Sequence, residues 1–287
     1  MGARGSIVAT VLVAALCAAT VSATRAFDET KYPDWRGQWT APSAYRFGPN
    51  PSWDPTKPQG LAQEAPLTAQ YQAIHDASLA DQAAGGAGLD LDHLCMAPGM
   101  PRMMNVYGTM EILVMPDTTY MLMSAFNDTR RIFTDGRDWP GDIEPSYPGY
   151  SIGKWIDTDH DGRFDVLEVE TRGFRGLRTL DSTAIPLHED NQTIVKERMF
   201  SDAADRNILY DEITLIDHAF THPWTVTKTY RRKPEARPQW GESRCTDNNP
   251  HTRIGHEDYM LSPDGLLMPA KKDQAAPDLR YFNKARK

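Results

Sequence analysis

Between Met110 and Arg231 the chain alternates short apolar runs with turn residues, at the two-residue repeat of a strand. Met110–Met115 and Thr119–Ala125 are separated by Pro116, Asp117 and Thr118, a hairpin signal. Arg130–Phe133 predicts a third strand, ended by Thr134, Asp135 and Gly136. Ser151–Ile156 and Val166–Thr171 flank an acidic loop, and Thr193–Phe200, Ile208–Ile216 and Trp224–Arg231 follow. In the last run Trp224, Val226, Lys228 and Tyr230 share one face. Short turns and the absence of helical crossovers predict a mainly β chain, folded as an antiparallel meander. A closed, lipocalin-like β-barrel is the preferred architecture, because closure removes sheet edges and can enclose one small ligand; a β-sandwich is the alternative.

The flanks read differently. Phe27–Gln63 is rich in Trp and Pro without lasting periodicity, which predicts an extended arm with one short strand at Gly37–Thr40. A helix is expected to open at Pro66, carry Leu67, Tyr71, Ile74 and Ser78 on one face, and stop at Gly85 and Gly86. The polar, Pro-interrupted chain beyond Cys245 predicts an irregular wrap. The expected organisation is a leader over 1–23, an arm and helix over 24–105, a barrel over 106–232 and the wrap over 233–287.

Arg4, the small apolar run Ile7–Val21 and the small residues Val21, Ser22 and Ala23 predict a secretory signal peptide. The expected location is therefore the periplasm or beyond, with no membrane insertion after cleavage. Cys17 falls inside that leader, but Leu16 before it is too large for lipoprotein processing. In an exported chain the remaining pair, Cys95 and Cys245, predicts a disulfide, worth up to about 5 kcal/mol in the chain-entropy model. A net charge of −8 with a single short basic run argues against a nucleic-acid partner.

One segment has metal-grade chemistry. Asp157–Glu168 satisfies a twelve-residue calcium loop, with acids at Asp157, Asp159, Asp161, Asp165 and Glu168, the Arg163 carbonyl, and Gly162 at the sharp turn. Its flanks alternate like strands, so Ca²⁺ is expected as a structural staple on a β-hairpin, not as an EF-hand ion. Asp-rich turns that cap their own amides have the same composition.

Four segments carry a family resemblance: Arg130–Pro140, Gly149–Trp155, Val166–Thr171 and Pro223–Val226. Together they resemble a family of exported bacterial proteins of unknown function, found in proteobacteria and acidobacteria. The likeness spans roughly Cys95 to Cys245. It implies export and a β-rich domain, and brings no catalytic residues with it.

Candidate ligand-handling groups cluster after the third strand. Arg131 and Arg137 can grip a carboxylate or phosphate in two places, and Trp139 with Trp224 can offer flat apolar faces. The expected partner is a small anionic, aromatic or sugar-like molecule. Catalysis stays open: Asp135 and His222 would be acid and base of a metal-independent lyase, isomerase or hydrolase if they met at one ligand atom. An interior fully packed with side chains would sink both the binding and the enzyme reading together, and a structural envelope role would remain. His218 and His222 have a spacing that suits zinc on a helix, but Pro223 predicts a turn. No phosphate-binding glycine loop or dinucleotide fingerprint is present, so no nucleotide or flavin cofactor is expected. The methionines between Met96 and Met123 read as adaptable core packing in preference to a copper site.

Overall fold

The computed structural model describes residues 27–41, 52–58, 64–235, 237–241, 251–255, 257–262 and 264–275. The predicted leader and Cys245 lie outside them, so the signal peptide and the Cys95–Cys245 bond are still expectations.

The chain forms a closed barrel of nine strands in sequential order. The eight predicted by alternation are β2 (Met110–Val114), β3 (Thr118–Met123), β4 (Thr129–Phe133), β5 (Tyr150–Ile156), β6 (Val166–Arg172), β7 (Ile194–Ser201), β8 (Ile208–Ile216) and β9 (Trp224–Arg232). The ninth, β1 (Gln38–Thr40), comes from the arm and closes the barrel between β9 and β2. The meander is not wholly antiparallel. β4 and β5 run parallel, with Ile132 opposite Ser151, because residues 134–149 carry the chain back along the barrel before β5 begins.

Inward positions follow the alternation: Arg130 and Ile132 on β4, Ser151 and Trp155 on β5, Val195, Glu197 and Met199 on β7, Leu209, Asp211 and Ile213 on β8, and Val226, Lys228 and Tyr230 on β9 are all buried. Gly153 is the inward residue of mid-β5. A Cβ there would come within 2.6 Å of Ile132 Cγ2, so glycine makes room for the isoleucine. Met104, Met110, Met121 and Met199 fill the core beside Trp39, as expected of flexible gap-filling side chains.

One barrel end, where β2, β5, β7 and β9 begin, is covered by a helix and two irregular segments. The helix α1 (Ala69–Ala83) starts later than Pro66: Thr68 is the cap, its hydroxyl accepting from the Tyr71 amide at 3.4 Å. Pro66 instead offers its carbonyl to the Thr221 amide at 2.7 Å, which ties the helix entry to the β8–β9 turn. Beneath α1, Leu180, Ala184, Ile185 and Leu187 are buried, and the Asn105 carboxamide donates to the Leu180 carbonyl at 2.8 Å.

The expected irregular wrap is in part ordered. β10 (His251–Ile254), β11 (Glu257–Leu261) and β12 (Leu267–Pro269) form a separate antiparallel sheet. Asp258 anchors it by accepting from the Ala87 amide at 3.4 Å. The strands are only three to five residues long, so their alternation is weak in the sequence.

Candidate functional site

The barrel interior is charged and occupied. Arg130, 1% exposed, donates from Nη1 to Glu197 Oε1 at 2.7 Å and from Nη2 to Glu197 Oε2, a two-point ion pair. Nη2 also reaches Thr171 Oγ1 at 2.8 Å, and Nε reaches Ser151 Oγ at 3.3 Å. The two hydroxyls bond one another at 2.8 Å. Every strand that contributes does so through its inward register, so the ion pair crosses the lumen from β4 to β7.

Asp211 lies in the same interior and is fully buried, yet neither carboxylate oxygen has a hydrogen-bond partner. Burial, reinforced by the Glu197 carboxylate, pushes its carboxyl well above the usual carboxylate range. Its cross-strand neighbour on β9 is Lys228. Burial pulls the Lys228 amine down to about 7, with Asp181, Asp211 and Asp54 opposing that fall. The amine donates to Asn105 Oδ1 at 2.8 Å and to the Trp53 carbonyl, and sits 3.9 Å above the Trp53 ring.

Lys228 also lines an opening beside this interior. β1 is three residues long and pairs on β9 with Arg231 and Arg232, so among the described residues no strand pairs with Trp224–Tyr230 on that side. At this seam lies a cleft of about 430 Å³, walled by Thr227, Lys228, Thr229 and Tyr230 from β9 and by Ser52, Met104 and Asn105 opposite. Ser52 is buried and its hydroxyl has no partner among the described residues; the same holds for the neighbouring Trp53 Nε1.

The predicted ligand-handling residues sit elsewhere. Arg131 is exposed, on the outward register of β4. Arg137 is clamped to Asp135 at 2.7 Å and lies over the Phe133 ring at 3.8 Å. Trp139 is half-buried near Tyr150, with the Arg172 guanidinium 4.8 Å above it. These groups form an arginine-laced turn on the barrel's outer face. Asp135, which its bond to Arg137 holds below the usual carboxylate range, shares no partner with His222. His222 is exposed in the β8–β9 turn and contacts Thr221 at 3.1 Å. The expected acid and base do not meet. Trp224 does lie on the inward register, packed edge-on to Phe220 at the covered end.

The acidic loop is partly assembled. Asp157, Asp159 and Asp161 converge to within 4.8 Å, and Asp157 Oδ1 is buried and unpaired. Gly162, at a φ of +87°, makes the turn that a Cβ would strain. Asp165 and Glu168 are not part of that cluster. Asp165 accepts from the Thr158 amide at 2.9 Å and from its hydroxyl, and Glu168 lies on the outer face of β6 between Lys154 and Arg198. Arg163 is exposed, its amide donating to Asp161 at 2.8 Å.

The interior residues carry a signal that was available but easily misjudged. Arg130 shares a face with Ile132, Glu197 with Val195 and Met199, and Lys228 with Val226 and Tyr230. A charged residue inside an apolar stripe marks a lumenal group, whereas the more conspicuous Arg131 falls one position out of phase. The chain matches no protein-family model and no curated protein.

Proposed function

We propose that the chain binds a small molecule bearing a carboxylate or similar acceptor group in the seam cleft, with Lys228 and Ser52 as its donors. The observation that carries this reading is the cleft itself, lined by the buried Lys228 amine, which already has two protein acceptors, and by the Ser52 hydroxyl, which has no partner among the described residues. Leaving a buried donor unpaired costs about 1–3 kcal/mol, which a ligand oxygen would recover. Its volume falls within the range of small-ligand pockets. An anion beside Lys228 stabilises the charged amine, so uptake near neutral pH carries a proton with it.

The binding site is thus placed at the seam and not at Arg131, Arg137 and Trp139, and binding in place of catalysis is proposed because Asp135 and His222 are apart. Export to the periplasm or beyond is part of the same proposal and rests on the leader pattern; N-terminal sequencing of the secreted protein checks it.

The test is calorimetric titration of the intact mature protein with benzoate and hexanoate, each against its neutral amide. The carboxylates are expected to bind in preference to the amides, with Lys228→Met weakening them by about tenfold or more. Affinity should fall as pH rises through the Lys228 titration near 7, because the amine loses its charge. Equal binding of acids and amides, or undiminished binding by Lys228→Met, would refute the assignment.

A further inference from the structure

Away from the seam, two loops bring together a donor set that the spacing of the sequence hides. His188 and Asp190 lie in the connection before β7, and His218 in the β8–β9 turn. One donor atom from each lies within 4.8 Å of the others. The Asp190 carboxylate is already shared by the two rings: Oδ2 lies 2.6 Å from His218 Nδ1 and Oδ1 lies 3.1 Å from His188 Nδ1. We propose that His188, Asp190 and His218 form a binding site for a zinc-class divalent cation.

The chemistry of the set supports the cation. Two imidazoles and one carboxylate are the protein ligands of open zinc sites, which keep a fourth position for water or another ligand. Bonds of about 2.0–2.2 Å put neighbouring donors roughly 3.3 Å apart in a tetrahedron. The carboxylate is already that close to both rings, so a metal requires only a short closure of one imidazole on the other. In doing so it replaces the Asp190 amide, now 3.2 Å from His188 Nδ1.

The surroundings hold the ligands in place. The His188 ring packs against Tyr71 of α1 with centroids 5.1 Å apart, and against His218 edge-on at 5.6 Å. The His188 amide donates to Asp217 Oδ1 at 2.9 Å, and the same oxygen accepts from the Ala219 amide at 2.8 Å. Buried Asp217 thereby fixes the backbone on both sides of the cluster. Supporting contacts of this kind set ligand orientation in metal sites. His222, the partner that spacing alone suggested for His218, does not belong to the cluster.

The experiment is titration of the metal-stripped mature protein with Zn²⁺, followed calorimetrically, in excess Ca²⁺ so that carboxylate-only sites are occupied. Co²⁺ replaces Zn²⁺ in a parallel run read by its visible absorption. One Zn²⁺ per chain is expected, with affinity reduced about tenfold or more by His188→Ala and by His218→Ala and unchanged by His222→Ala. His218 is well exposed, so His218→Ala should keep the wild-type far-UV spectrum and separate loss of metal from loss of fold. Absence of zinc binding, or equal loss in His222→Ala, overturns the proposal.

Discussion

Replacing Glu197 by glutamine should expose how the lumen manages its charges. The substitution keeps the side chain's shape but removes the counter-charge from Arg130, which is buried and otherwise has only the hydroxyls of Thr171 and Ser151 and two methionine sulfurs for company. Breaking a buried ion pair from one side costs about 3–5 kcal/mol, because the remaining charge is left desolvated. Asp211 modifies that figure. The Glu197 carboxylate is one of the forces that keep the Asp211 carboxyl protonated, and Arg130 pulls the other way. Once Glu197 is neutral, Asp211 can ionise and become the counter-charge. The full cost should therefore appear at acidic pH, and a smaller one at alkaline pH. Glu197→Gln with Asp211→Asn should restore the full cost at both. Urea unfolding followed by tryptophan fluorescence measures the difference, and each kcal/mol corresponds to about 2–4 °C in Tm for a domain of this size. Exchanging both partners, Arg130→Met with Glu197→Met, should cost far less than either single change, since Ser151 and Thr171 keep their mutual bond. A single-mutant loss below about 1 kcal/mol at the lower pH, or no dependence on Asp211, would show that the pair is not the buried charge balance inferred here.

Two further outcomes are expected. Asp211→Asn should stabilise the protein at neutral pH: a carboxyl raised in the folded state makes stability fall as pH climbs above its unfolded value near 3.8, and asparagine removes that fall. Parallel unfolding curves for wild type and variant across the neutral range would count against it. Calcium should raise the melting temperature by mass action on the folded loop, and Asp157→Ala with Asp161→Ala should abolish the shift; an unchanged wild-type melting curve would leave the loop as an Asp-rich turn.

Alternation alone was enough to read β2 to β9 and the barrel they make, because each strand has one buried face and the two-residue period is imposed by the pleat. The same pattern put Lys228 on an apolar stripe with Val226 and Tyr230. It also contained Arg130 and Glu197, although Arg131 drew the eye as the freer group. Tertiary structure decided everything that depends on residues far apart in the chain. Closure by β1 is one such decision: Gln38–Thr40 is too short to signal that it joins β9 to β2. The partners of the interior charges are another, since Arg130 and Glu197 are 67 positions apart. The histidine cluster is a third, joining His218 to a carboxylate 28 positions away. Local periodicity is set by the backbone and can be read along the chain, whereas charge pairing and clefts arise only when distant strands share one lumen.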